Sequence, residues 1–166
     1  RCRGSLLCAQ DAPPDGFVAA DFRVPTLRQV LTELPGVGFS IEIKSFGGAS
    51  TGMNAATALA TLLSEFGRSS RSSGVMVSAS DSATLAAFKA AAPNVPTSPA
   101  IDEFTEWYLG VLAGEAGSGG SVVGGLTGHM AVQIAYRAAG FGVPDDILPT
   151  AELMGALRRH RKGIMV

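Results

Sequence analysis

The sequence predicts an α/β fold in which helices and strands alternate around a parallel sheet. Three observations predict it. First, ten helical and strand-like segments alternate along the chain as five pairs, each a helix followed by a short apolar strand, as βαβ units require. Second, 46% of the 166 residues are hydrophobic and only 16% are charged, enough to build one core. Third, the strand-like stretch "GFSIEIKSF", residues 38 to 46, is apolar except for two charges spaced two residues apart.

Each element follows in order. Residues 1 to 23 are irregular, with the turn chemistry of "DAPPDGF", and the folded region is expected over 24 to 166. "VPTLRQVLTEL" reads as a helix with Thr26 as N-cap and Leu27, Val30, Leu31 and Leu34 at helical spacing; Pro35-Gly36 stops it. A strand follows over about 37 to 44. "STGMNAATALATLLSEFGR" is a helix with Leu59, Leu62, Leu63 and Phe66 as its stripe and Gly67 as C-cap. "GVMVSAS" is a strand. "SDSATLAAFKAAAP" is a helix that Ser80 or Asp81 caps and Pro93 ends. "NVPTS" is a brief strand and "IDEFTEWYLGVLAG" a helix. "GEAGSGGSVVGGLTG" is a low-complexity loop. "HMAVQIAY" alternates as a strand does. "PTAELMGALRRHRK" is a helix with Thr150 as N-cap, and "GIMV" begins a further strand.

Composition excludes several classes of partner. Net charge is −1 with no run of like charges, which argues against nucleic acid and anionic membrane surfaces. Mean hydropathy is +0.27, yet no apolar run approaches the ~20 residues of a membrane span. Cys2 and Cys8 are two thiols in the irregular segment, free or locally bridged, and no second pair at metal-ligand spacing follows. No signal peptide is visible. The chain starts at Arg1, not Met, so an earlier N-terminus is expected and the compartment stays open.

Glu42 and Lys44 carry the sharpest functional signal. Side chains two apart on a strand share a face, so these two lie together while Ile41, Ile43 and Ser45 take the other. Either the strand is a solvated edge, or the charged face looks into a site where the carboxylate binds a hard cation and the lysine meets an anion such as phosphate. Both sit at the C-terminal end of a strand, where α/β proteins place their ligand sites. Ser78 or Ser80 could touch a ligand there, or Ser80 or Asp81 simply caps the next helix. Gln133 is a ligand contact or a satisfied amide. His129 borders the glycine-rich loop. His160 lies in "RRHRK", which reads as a solvated basic helix end.

"DFRVPTLRQVLTELPGVGFSIEIK", "GVMVSASDSATLAAFKAAAPNVPTS" and "HMAVQIAYRAAGFGV", in this order, resemble the glycerophosphodiester phosphodiesterase family over about residues 13 to 166. That family places a Pro-Thr-Leu helix before a strand ending Ile-Glu-Ile-Lys, then a strand ending Ser-Phe, then a helix and a Pro-x-x-x-Thr strand. The resemblance implies a (β/α)₈ barrel of the TIM type and metal-dependent hydrolysis of glycerophosphodiesters to glycerol 3-phosphate and an alcohol. It implies Glu42 as a ligand of the divalent metal, Mg²⁺ or Ca²⁺. It implies Lys44 beside the substrate phosphate; Ser78 and Gln133, read from their strands and not from the resemblance, are the further candidate substrate contacts.

The chain departs from the family pattern at several points. The family's His-Arg-Gly strand and its Glu-x-Asp and His-Asp motifs, which supply both catalytic histidines, do not occur in these residues. Ala79 stands where the family has phenylalanine, and Trp-Thr-Val-Asn is not reached by Val166. The expectation is therefore an incomplete barrel, a portion of such an enzyme that is inactive by itself. The rivals are a non-catalytic binding module on the same scaffold and an unrelated doubly wound α/β enzyme.

Overall fold

The computed structural model describes residues 15–16, 18, 23–46, 48–113, 126–133 and 150–165. Cys2, Cys8, most of the glycine-rich stretch and residues 134–149 lie outside the described residues. The chain divides into two compact units, Arg1–Gly36 and Val37–Val166. The first holds helix α1, Leu27–Glu33, where Thr26 and Gln29 form a reciprocal capping box and Leu31 is buried.

The second unit is a mixed α/β body. Its elements are β1 (Phe39–Ile43), α2 (Ala49–Glu65), β2 (Val75–Ala79), α3 (Ser82–Ala91), α4 (Ile101–Leu112), β3 (Ala131–Gln133), α5 (Ala151–Arg159) and β4 (Gly163–Met165). All the strand pairings described are parallel. β1 pairs with β2, Phe39 opposite Val75 and Glu42 opposite Ser78; β3 pairs with β4, Ala131 opposite Gly163. The brief strand expected at "NVPTS" shrinks to one bridge, Val77 to Thr97. Pro96 and Pro99 flank that residue, and proline offers no N–H to a ladder. The short segment still links the two pairs. Val77 N–H donates to Pro96 O at 2.9 Å, Ser98 N–H to Val77 O at 3.0 Å, and Met130 N–H to Thr97 O at 2.9 Å. The lateral order is therefore sequential: β1, β2, residues 96–98, β3, β4. No closed barrel forms among the described residues.

One contact fixes the curvature of this layer. Ser40 Oγ on β1 donates to Gln133 Oε1 on β3 at 3.1 Å. Three strand intervals separate them, about 14 Å in a flat sheet. A serine arm, a glutamine arm and the hydrogen bond together span only about 10 Å. The layer must curl, concave on the face of Ser40, Glu42, Ser78 and Gln133.

The opposite face is apolar and carries the helices. α2 packs on α3, and the stripe that faces inward is Gly52, Ala56, Leu59, Ala60 and Leu63, spaced by three and four as one helix face demands. Leu62 and Phe66, expected in that stripe, are only half-buried. Ile43, Val75, Val77, Ala79, Leu85 and Phe88 are buried in this half. A second cluster joins Trp107, Tyr108 and Val111 of α4 to Leu153, Ala156 and Leu157 of α5, with Leu126 and Val132. Gly67 closes α2 at φ +66°, with Arg68 N–H bonding Leu63 O at 2.7 Å and Gly67 N–H bonding Ser64 O at 3.0 Å. α5 ends in the same motif, but with Arg161 at φ 53° where glycine is usual.

Candidate functional site

The polar face of the curled layer is built by strand alternation. Ser40 and Glu42 alternate with Phe39, Ile41 and Ile43 along β1, and parallel register sets Met76 beside Ser40 and Ser78 beside Glu42. Lys44, just beyond the strand, folds back so that Nζ donates to Glu42 Oε1. Lys44 stays 48% exposed at its side chain, and an ammonium carries three donors, so it presents charge to solvent as well as to Glu42. Gln133 crosses the face. Its Oε1 accepts from Ser40 at 3.1 Å and from Ser78 at 3.4 Å, while its backbone N–H donates to Ser98 Oγ at 2.9 Å. With its carbonyl end held by two hydroxyls, the amide's NH₂ end is left to bond elsewhere.

The structure thus brings Glu42, Lys44, Ser78 and Gln133 onto one concave surface. Sequence reasoning missed Ser40 and Ser98. Ser40 was signalled by the two-residue spacing Ser40, Glu42, Lys44. Ser98 carried no signal, because its role depends on the bridge at Thr97. Beyond Lys44, Ser45 O accepts from Gly48 N–H at 3.2 Å in a turn, and Phe46 projects from it 80% exposed.

The other candidates have structural work. Asp81 caps α3: its Oδ1 accepts from Thr84 N–H at 2.8 Å. Its Oδ2 accepts from the hydroxyls of Thr84 at 2.9 Å and Ser45 at 2.7 Å. Those bonds, the Thr84 N–H first and the Ser45 hydroxyl next, hold its carboxyl below the usual 3.8. Ser80 Oγ lies 2.7 Å from Ser45 Oγ in the same network. Asp102 Oδ2 accepts from the N–H and hydroxyl of Ser82, tying the start of α4 to the start of α3. His160, expected on a solvated face, is instead half-buried, its ring edge-on to Trp107 at 6.2 Å between centroids. His129 is buried and lies before β3, away from the polar face.

A divalent ion finds too few ligands here. Among the described residues no three His, Cys, Asp or Glu side chains gather to hold a metal. Among the described residues Glu42 is the one carboxylate on the concave face and already contacts an ammonium, whereas Mg²⁺ wants octahedral oxygen coordination and Ca²⁺ takes six to eight oxygens. The described residues do not by themselves make a Mg²⁺ or Ca²⁺ site. No helix among the described residues is long and apolar enough to cross a membrane. The sequence matches no protein-family model and no curated protein.

Proposed function

We propose that the chain is part of a barrel of the glycerophosphodiester phosphodiesterase type, and that its concave polar face binds the phosphodiester of a small glycerophosphodiester without hydrolysing it. One observation carries this reading: Glu42 and Lys44, the two site residues the resemblance implies, share one concave surface with the candidate contacts Ser78 and Gln133. The sequential parallel order favours a barrel-type layer over a doubly wound sheet, whose strand order reverses at a switch point.

In this reading Lys44 attracts the phosphate, and Glu42 holds the ammonium over the face. The hydroxyls of Ser40 and Ser78 fix the amide of Gln133, whose NH₂ end donates to a phosphoryl or glycerol oxygen. Turnover needs a positioned acid and base, a contribution of about 10²–10⁴-fold. Neither histidine of the chain is on this face. Weak binding without turnover is the consequence.

Phosphorus NMR titration of the whole chain with glycerophosphocholine tests the proposal. Saturable shifts are expected, weakened about tenfold or more in Lys44→Ala and less in Gln133→Ala. Binding indifferent to both substitutions refutes the site. Glycerol 3-phosphate release that needs a divalent ion and vanishes in Glu42→Ala refutes the non-hydrolytic reading.

A further inference from the structure

His129 sits where four segments meet. Its ring is buried, with the residue 4% exposed. Nδ1 is 3.0 Å from Thr97 Oγ1, and Nε2 is 3.5 Å from Glu103 Oε2. That Glu103 oxygen also accepts from Ala100 N–H at 2.8 Å, capping α4. Lys162 Nζ donates to the His129 carbonyl at 2.7 Å. Lys89 of α3 reaches the neighbouring Gly128, where an added Cβ would come within 3.2 Å of its ammonium. The charges that face the imidazole are thus Glu103 on α4, Lys89 on α3 and Lys162 before β4. Burial first, then Lys89 and Lys162, push the ring down to about 4. The ring is neutral at pH 7, so the contact with Glu103 is no ion pair. Nδ1 accepts from the Thr97 hydroxyl, and Nε2–H faces the carboxylate.

Thr97 is also the seam of the layer. It bridges to Val77 on one side, and its carbonyl accepts from Met130 on the other. We propose that His129 is an acid-sensitive latch on this seam, and that protonating its ring releases the β3–β4 half of the layer from the β1–β2 half. A protonated ring has two donors and no acceptor. The Thr97 hydroxyl then loses its acceptor in a site 1% exposed and must turn to accept, stranding its own proton. The new charge meets one carboxylate and two ammonium groups. Opening the seam admits water to the ring and to Thr97. The bonds nearest the break are Met130 N–H to Thr97 O and Gln133 N–H to Ser98 Oγ. The Gln133 side chain also accepts from Ser40 and Ser78 across the seam, but the β1–β2 ladder's own bonds use none of these groups.

The sign follows from where protons bind. An open chain takes up the proton near 6.5, the closed one only near 4. Stability is therefore complete above pH 6.5 and falls as the pH drops towards 4. That gap corresponds to a rise in the opening equilibrium of at most ~300-fold.

Hydrogen exchange of the intact chain, followed by mass spectrometry and corrected for intrinsic rates, tests this between pH 7 and 4.5. Protection at residues 130–133 and 163–165 is expected to fall about 60-fold, while 39–43 and 75–79 keep theirs. Lys89→Met, which removes one opposing cation at an incompletely buried site, is expected to shrink the effect. Glu103→Gln, which keeps an oxygen for the α4 cap, is expected to enlarge it. Equal loss of protection in both halves, constant protection in the β3–β4 half, or no response to either substitution overturns the proposal.

Discussion

Gly52 is where two helices come too close for any other residue. A Cβ built there lies 2.2 Å from Thr84 Oγ1 and 2.9 Å from Ser45 Cβ, against an ordinary contact of 3.4–4 Å. Neither neighbour can retreat freely. Thr84 is buried and its hydroxyl donates to Asp81; Ser45 donates to the same carboxylate. Gly52→Ala gains at most about 1 kcal/mol of helix propensity. Against it stand overpacking of about 1–3 kcal/mol and a hydrogen bond worth about 1 kcal/mol. The net expectation is a loss of about 1–3 kcal/mol. Urea unfolding followed by circular dichroism reads it as a midpoint lowered by about 1 M with an unchanged slope. In a Thr84→Ala background, which removes the closer obstacle, the same substitution should cost at least ~1 kcal/mol less. If Gly52→Ala stabilises the wild-type chain, helix propensity outweighs crowding and the close approach of α2 to α3 is wrong.

Two further outcomes rest on equally local geometry. Arg161→Gly, at φ 53° in the C-terminal cap of α5, should stabilise by about 0.5–1 kcal/mol in the same unfolding assay, since left-handed backbone costs a residue with a Cβ about 1–2 kcal/mol and glycine returns part of that as entropy. A loss instead would assign the Arg161 side chain a structural contact. Arg68→Met should destabilise by about 2 kcal/mol in thermal or urea melts, because the guanidinium donates to Val37 O at 2.8 Å and lies 5.2 Å from the centre of the Phe39 ring, and methionine keeps only the apolar stem. An unchanged midpoint would show that the start of β1 does not depend on this bond.

What depends on neighbours within four residues can be read from residue order alone. Thr26, Asp81 and Thr150 each cap the helix that follows, because an oxygen at the N-cap reaches the N–H three residues on whatever surrounds it. Glu42 and Lys44 meet because strand side chains repeat every two residues. The alternation of elements implied parallel pairing, and the described pairs are parallel. The tertiary structure alone decided what depends on distance across the sheet. Ser40 and Gln133 are 93 positions apart, and they bond only because the layer curls. Whether Ser80 or Asp81 capped α3 was open until Ser45 and Thr84 were placed around the Asp81 carboxylate. His129 and His160 looked like loop and surface residues, because burial comes from elements packed over them, not from their own flanks. The segment at Thr97 was expected as a brief strand; its prolines reduce it to one bridge, and only its two neighbours made it the seam between the halves.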